Sequence, residues 1–335
     1  MRLSIGIVGL PNVGKSTLFK ILTKIEVNIA NYPFATIDPN IGVVTVPDER
    51  LQKLSIMSQT KKIVPAVVEF YDIAGLVKGA NEGEGLGNQF LSHIKEVSAI
   101  VEVVRCFPSD EIIHVEEGVN PVRDMDIINT ELILKDLDSV ERRLSKVESE
   151  AKSGDKKKIK DAATLKTVKE RLGAGNLLFT MPKEILNDEV VRELNLITAK
   201  PQVYLLNGDE AHVSQELKDK IKALGADYVI MNLAGAENLD LLIKKAYEVL
   251  GLISFLTTGV EETRAWTIER GWKAPQAAGV IHSDFEKKFI RAEVINWAKL
   301  LEAGSESAAK QKGWLRIEGK DYIMQDGDVV NVRHG

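Results

Sequence analysis

Hydrophobic positions in the first third of the chain fall into short apolar runs separated by stretches of helical spacing. LSIGIVG (3–9), VVEFYD (67–72) and AIVEVVRC (99–106) are β-branched runs that predict buried strands. Lys15 to Ile25 and Leu86 to Val97 carry a helical pattern. QVYLLN (202–207) and YVIMNL (228–233) add two strands, and Glu237 to Leu250 a closing helix. Strand alternating with helix over this length predicts a parallel sheet covered by helices.

Two segments depart from that alternation. From about Pro121 to Leu172, Ile133, Leu137, Val140, Leu144 and Val147 recur at spacings of 4, 3, 4 and 3, one stripe of a helix. SGDKKK (153–158) interrupts the stripe, and Leu165, Val168 and Leu172 resume it. This predicts two antiparallel helices inserted into the α/β domain, with a basic tip at Lys156, Lys157 and Lys158. That tip is either a solvated end or an RNA-facing surface, whose charge contacts would weaken with salt. From about Ile253 the chain holds all four tryptophans, Trp266, Trp272, Trp297 and Trp314. Here RAWTIERG reads as a hairpin strand and Asp284 to Phe289 as part of a helix. KDYIMQDGDVVNVRH reads as two short strands around Asp326-Gly327, because Asp-Gly between apolar runs is a strong turn signal. A small mixed α+β domain is expected.

Composition narrows the class without changing the picture. A length of 335 residues allows two domains of about 150 residues and a small third. Hydrophobic residues at 44% and charged residues at 28% exclude a disordered, collagen-like or membrane-embedded chain. No run reaches the roughly 18 apolar residues of a membrane span. The apolar N-terminus leads straight into a functional motif, so it reads as a strand and not as a cleaved signal. A net charge of −5 demands no nucleic acid, and no DNA partner is expected. The single cysteine, Cys106, cannot form an internal disulfide, which fits a reducing, cytoplasmic setting.

The candidate chemistry is phosphate binding. Gly9-Leu10-Pro11-Asn12-Val13-Gly14-Lys15-Ser16 matches G-x-x-x-x-G-K-[ST] in full and lies between a predicted strand and a predicted helix. Its backbone N–H groups would cradle phosphates at a helix N-terminus. Lys15 would reach the β- and γ-phosphates, and Ser16, followed by Thr17, would offer a hydroxyl to Mg²⁺. Asp72-Ile73-Ala74-Gly75 ends the second strand. Asp72 can hold Mg²⁺ through water, and the N–H of Gly75 can approach the γ-phosphate. Thr36, in NYPFATIDPN, reads either as an ordinary loop threonine or as a second hydroxyl for Mg²⁺. Asn207-Gly208-Asp209-Glu210 stands where GTPases carry Asn-Lys-x-Asp. Gly208 removes the lysine stem over the base, and Glu210 replaces the aspartate. Guanine selectivity should weaken, which makes adenine a ligand; a loosened guanine site is the other reading.

GLPNVGKST, NYPFATIDPN, FYDIAGLVKGA, NEGEGLGNQFL, RCF, RAWTI and APQAAGVIHSDFEKKFIRAEVI together resemble the YchF subfamily of Obg-related P-loop NTPases, the Obg-like ATPases. The resemblance covers nearly the whole chain. It implies a P-loop NTPase domain over 1–120 and 198–252. A coiled-coil hairpin would be inserted over 121–197. A C-terminal TGS domain, a ubiquitin-like β-grasp module, would take 253–335. It further implies ATP binding in preference to GTP, slow hydrolysis and association with the ribosome, with the large subunit and ribosomal RNA as expected contacts. Phe107 would cover one face of the adenine, a core role being the alternative, and the 230–237 loop would flank the base. Leu76 follows Gly75 where many GTPases carry a water-orienting Gln, so intrinsic turnover should be slow. His114 is a candidate general base or water-orienting group, or else a plain loop histidine. Asn12 either shapes the phosphate loop or helps hold K⁺ beside the phosphates. Competing functions are a GTPase of the same class, a small-molecule kinase, and a ribosome- or RNA-binding module in which nucleotide is only structural. The D-x-x-G and Asn207 motifs argue against the kinase.

Overall fold

The computed structural model describes residues 4–24, 40–73, 94–108 and 118–335. In chain order its elements begin with β1 (Ser4–Val8), α1 (Lys15–Lys24), β2 (Ile41–Thr45), α2 (Glu49–Ser58), β3 (Lys62–Val64), β4 (Val67–Asp72) and β5 (Ala99–Arg105). Next come α3 (Pro121–Ala151), α4 (Lys156–Gly173), α5 (Lys183–Leu186), α6 (Glu189–Arg192), β6 (Gln202–Asn207), α7 (Gln215–Ala223), β7 (Asp227–Met231) and α8 (Asp240–Val249). The last third holds β8 (Leu252–Thr257), β9 (Glu262–Glu269), α9 (Ala274–Ile281), α10 (Ser283–Lys287), β10 (Phe289–Asn296), α11 (Trp297–Ala303), α12 (Glu306–Gln311), β11 (Arg316–Glu318) and β12 (Asp328–His334). Among the described residues, one compact unit takes 4–24, 40–42, 69–73, 94–108 and 118–246, and a second takes 43–68 and 247–335.

The first unit is built on a six-stranded sheet in the order β2-β4-β1-β5-β6-β7. β1 pairs in parallel with β4 and β5, β5 with β6, and β6 with β7. Every residue of β1, β5 and β6 is buried, as expected of parallel strands covered on both faces. α3 lies on one face: its Ile128 and Leu132 join Val8, Ile73 and Ile100. Its Met125 joins Tyr204, Leu206 and, from α7, Leu217 and Ile221. All four of these ladders are parallel, so the C-terminal ends of β4, β1, β5, β6 and β7 gather at one edge.

α3 and α4 form the helical hairpin that the apolar stripe predicts. Asn120 caps α3 by accepting from the N–H of Arg123, with Pro121 at the first turn. Asp155 caps α4 after a turn in which Gly154 adopts φ +84°. Val140, Leu144 and Val147 meet Leu165, Val168 and Leu172 in one apolar core. Ion pairs flank it, including Lys166–Glu148 and Lys169–Glu141. At the tip, Lys157 pairs with Glu189 at 2.8 Å and Lys158 with Glu150 at 2.9 Å. Two of the three tip cations thus carry acidic partners, a different surface from the bare basic patch the sequence suggests.

The second unit has its own six-stranded sheet, ordered β11-β10-β12-β8-β9-β3. β8 and β9 form an antiparallel hairpin, β12 returns parallel to β8, and β10 pairs antiparallel with β12 and β11. α9 crosses one face, where Ala274, Ala277 and Ala278 meet Phe255, Phe289 and Val294. This is a β-grasp arrangement. Residues 43–68, which sequence reading leaves within 1–120, belong here: β3 pairs in parallel with β9 through Lys62↔Glu262. Arg50 of α2 pairs with Asp48 and with Asp326, both at 2.7 Å. The expected hairpin at Asp326-Gly327 does not form. Tyr322 to Met324 hold only an isolated bridge, Ile323 to Lys273, and β12 alone follows. The Asp326 carboxylate accepts from the N–H of Ser254, and the N–H of Gly327 donates to the Ser254 carbonyl, so the dipeptide docks on β8. The helix expected over 284–289 ends at Lys287, because Phe289 opens β10. No helix among the described residues is long and apolar enough to cross a membrane.

Candidate nucleotide site

The loop between β1 and α1 is shaped by two glycines that no other residue can replace without a clash. Gly9 sits at φ +144°, and a Cβ there would lie 2.4 Å from the carbonyl oxygen of Val103. Gly14 sits at φ +110°, and its Cβ would lie 2.4 Å from Nδ2 of Asn207. Asn12, at φ +62°, takes the left-handed conformation that asparagine tolerates. Val13 is buried and turns its backbone toward β6. Lys15 opens α1 and donates from Nζ to the Leu10 carbonyl at 2.6 Å, closing the loop on itself. Burial lowers the Lys15 pKa to about 8, against the opposing pull of Asp72. Asp72 is buried at the end of β4, opposite Ile7 of β1.

A cleft of roughly 570 Å³ runs from this loop along the C-terminal ends of β5, β6 and β7. Asn12, Gly14, Lys15, Ser16 and Thr17 line its phosphate end. Phe107 and Pro108 after β5, Asp209 and His212 after β6, and Asn232 to Ala234 after β7 line the other. Ligands of open parallel sheets sit at this edge, outside the carboxyl ends of the strands. Phe107 is set in place by Arg105, which is fully buried. Its Nε donates to the Phe107 carbonyl at 3.2 Å, and its guanidinium stands 4.6 Å from the ring centre.

The base motif divides into different roles. Asn207 is buried and engaged on the protein: Nδ2 donates to the Val13 carbonyl at 2.8 Å, and Oδ1 accepts from the N–H of Leu233 at 3.1 Å. It braces the phosphate loop against the loop after β7. Gly208 does not line the cleft; a Cβ there would press to 3.2 Å from Cys106 and Phe107. Glu210 points its carboxylate at Lys218 and is also absent from the lining. Asp209, one residue earlier, faces the cleft instead. Its Oδ1 accepts from Nδ2 of Asn232 at 3.1 Å. Sequence reading passes over Asp209, His212, Pro108 and Arg105. The available signal was position: Pro108, Asp209 and His212 follow predicted strands, and Arg105 ends one, beside residues already singled out. Cys106 is buried, and burial with nearby Asp124 pushes its thiol up to about 12, so it is no reactive thiolate.

Thr36, Gly75, Leu76 and His114 lie outside the described residues. The groups present fit a magnesium nucleotide. The cleft is lined by Lys15, whose hydrogen bond among the described residues is to its own loop, and by Ser16 and Thr17; the buried Asp72 carboxylate, outside the lining, pulls electrostatically on Lys15. Oxygen donors of this kind suit a hard cation that retains water and phosphate ligands.

Comparison with known proteins agrees with that geometry. A family model described as 50S ribosome-binding GTPase matches residues 4–148. One described as the C-terminal domain of the YchF GTPase, a protein of unknown function (DUF933), matches 252–335. The chain is 44% identical over 363 residues to the ribosome-binding ATPase YchF of Bacillus subtilis, covering 99% of each. It is 43% identical over 358 residues to the ribosome-binding ATPase YchF of Escherichia coli O157:H7, again covering 99% of each. The solved structure of the Schizosaccharomyces pombe YchF GTPase superposes with a TM-score of 0.87 at 38% identity, over 99% of this chain and 98% of that one. With the phosphate loop, the buried Asp72 and the β-grasp unit in place, the chain belongs to the YchF family of P-loop nucleoside triphosphatases.

Proposed function

We propose that this protein is an ATP-binding, slowly ATP-hydrolysing switch that associates with the ribosome in the cytoplasm. The observation that carries the reading is the single cleft joining the phosphate loop to an aromatic-walled base end at Phe107. The ATPase activity and ribosome association rest on what its relatives are named for.

In this reading Lys15 leaves the Leu10 carbonyl for the β- and γ-phosphates, and the N–H groups from Asn12 to Thr17 cradle them. Ser16, Asp72 and Thr36 hold Mg²⁺, which when bound neutralises phosphate charge. Gly75 meets the γ-phosphate through its N–H. His114 orients the attacking water or accepts its proton, a task Leu76 cannot perform. Asn12 helps place K⁺. The NTPase part over 1–120 and 198–252, less the 43–68 segment that packs with the C-terminal unit, would be catalytic, and the parts over 121–197 and 253–335 would contact the large subunit and its RNA.

Titration of nucleotide-free protein with fluorescent ATP and GTP analogues in Mg²⁺ and K⁺ tests the base. ATP should compete at least about tenfold better than GTP, one hydrogen bond to a charged group being worth about that much. Preference for GTP would overturn the ATP reading in favour of a GTPase.

The Lys15 pKa of about 8 carries a pH dependence with a defined sign. Below about 8 the free protein already holds the proton, so this group leaves affinity flat. Above it the free lysine is neutral, while bound triphosphate favours the charged form, so binding takes up a proton. Affinity for Mg-ATP should fall by up to about tenfold per pH unit above 8. Calorimetric titrations between pH 7 and 9.5 check this, and constant affinity across that range contradicts it.

A further inference from the structure

We infer that the open edge of β12 takes up a short extended peptide with alternating apolar and basic side chains, adding it to the second sheet as a strand. This site lies in the second unit and does not depend on which nucleotide the first one binds.

β12 pairs with β10 along its length but meets β8 at one bridge, Val329↔Leu256. β8 ends at Thr257, and the chain passes through 258–261 into β9, while β12 runs on to His334. In a strand, alternate residues direct their N–H and C=O groups to opposite edges. Over 331–333 the edge away from β10 therefore carries donors and acceptors with no backbone partner among the described residues. An edge of this kind is a template for another strand.

A cavity of about 580 Å³ lies along it. Val330 and Val332 belong to the core under α9, and they line the cavity together with Ile281 and Phe285. Glu293 and Asn331, paired across the strands on the opposite face, line it as well. Space on both faces of β12 is continuous only around an edge, and the ladder to β10 closes the other one. Residues 257–260, at the end of β8 and just beyond it, complete the lining on the open side. The volume is in the range that small ligands fill, so it admits a few residues of peptide.

The side chains of an inserted strand would alternate between the two faces. Those on the α9 face meet Ile281 and Phe285, which favour apolar groups. Those on the opposite face meet Glu293. It is buried and shares one oxygen with Arg333 at 3.1 Å. The other charged group of the lining is Glu306, exposed at the start of α12 and without an ion pair among the described residues. No Lys, Arg or His joins these two carboxylates among the described lining residues. A basic side chain meets opposite charge here, whereas the phosphates of RNA meet like charge, so RNA contacts of this unit belong to other surfaces.

The test is fluorescence anisotropy of the full-length protein with a labelled peptide that alternates valine and lysine over about five residues, the span of an ordinary strand. Two controls share its length: one alternates valine and glutamate, and one is the valine–lysine peptide N-methylated at every amide, which removes its ladder donors. The first peptide should bind at least about tenfold tighter than either control, one charged hydrogen bond or two backbone ones being worth about that much. Hydrogen exchange within 331–333 should slow when it binds. Glu306→Lys changes an exposed side chain, so its melting temperature should hold while affinity for the valine–lysine peptide falls about three- to tenfold. No binding up to about 1 mM, equal affinity for the three peptides, or binding that leaves exchange within 331–333 unchanged would overturn the inference. So would slowed exchange there caused by a polyuridine oligonucleotide, or by a second copy of the chain that the peptide fails to displace.

Discussion

Lys15→Ala is expected to weaken Mg-ATP binding at least about 100-fold and to slow hydrolysis by about 10²–10³-fold, the scale of losing one preorganised charged donor. The side chain is half-buried near Asp72, with the Leu10 carbonyl as its hydrogen-bond partner at 2.6 Å. A cation so placed has exchanged part of its hydration for a short contact that phosphate oxygens can replace. Alanine removes the donor but leaves the loop glycines and the Asn207–Val13 brace untouched. Leu10 is only half-buried, so water can take the place of the lysine on its carbonyl. The variant should therefore keep its thermal stability while losing the stabilisation that ATP confers on the wild type. Thermal melts with and without Mg-ATP, together with the binding titration, check both halves. A variant that still gains the wild-type melting shift from ATP would contradict the assignment of Lys15.

Asp136→Ala is expected to destabilise the protein by about 3–5 kcal/mol, the range for removing one partner of a buried charged cluster. Asp136 lies on α3 with no exposed surface. Its carboxylate accepts from the N–H of Ile197 at 3.0 Å, and from the N–H and hydroxyl of Thr198 at 2.7 Å each. Burial pushes its pKa up, and these donors together with Lys95 pull it back. Alanine would leave three buried donors without an acceptor where the hairpin returns to the sheet. The same return segment is tied to the chain ahead of β5. Lys200 donates to the carbonyls of Lys95 and Val97, and Asn195 donates to that of Lys95. Urea denaturation measures the loss, and a change below about 1 kcal/mol would show that water or local rearrangement replaces the carboxylate. Asp136→Asn keeps one acceptor oxygen and should lose less.

Much of this molecule is written in short stretches. The phosphate loop is legible because its chemistry is local. Gly9, Gly14, Lys15 and Ser16 act through their own backbone and the helix they open, and spacing alone identifies them. The α3–α4 hairpin is legible for a related reason: Val140, Leu144 and Val147 pair with Leu165, Val168 and Leu172 across one turn, so the partner lies a few dozen residues away. Asp72 and Asn207 are legible because each ends a strand whose apolar run is unmistakable, and Phe107 because it follows one.

What sequence reading missed depends on partners far along the chain. β3 carries no signal that it will pair with β9, two hundred positions later, because a three-residue edge strand is too short to show a period. Asp326-Gly327 has the composition of a hairpin turn, yet Arg50 and Ser254 take its hydrogen bonds and convert it to a docking point. Asp209 and Glu210 are adjacent carboxylates that no pattern separates. Lys218 draws one away from the cleft, and Asn232 holds the other in it. The amino-acid sequence by itself determined the phosphate-binding motif, the inserted hairpin and five of the six strands of the first sheet, β2 being missed, since each follows from neighbours in the chain. Only the tertiary structure decided which segments complete the second sheet and which carboxylate lines the cleft, because both depend on hydrogen bonds between groups that folding alone brings within 3 Å or so.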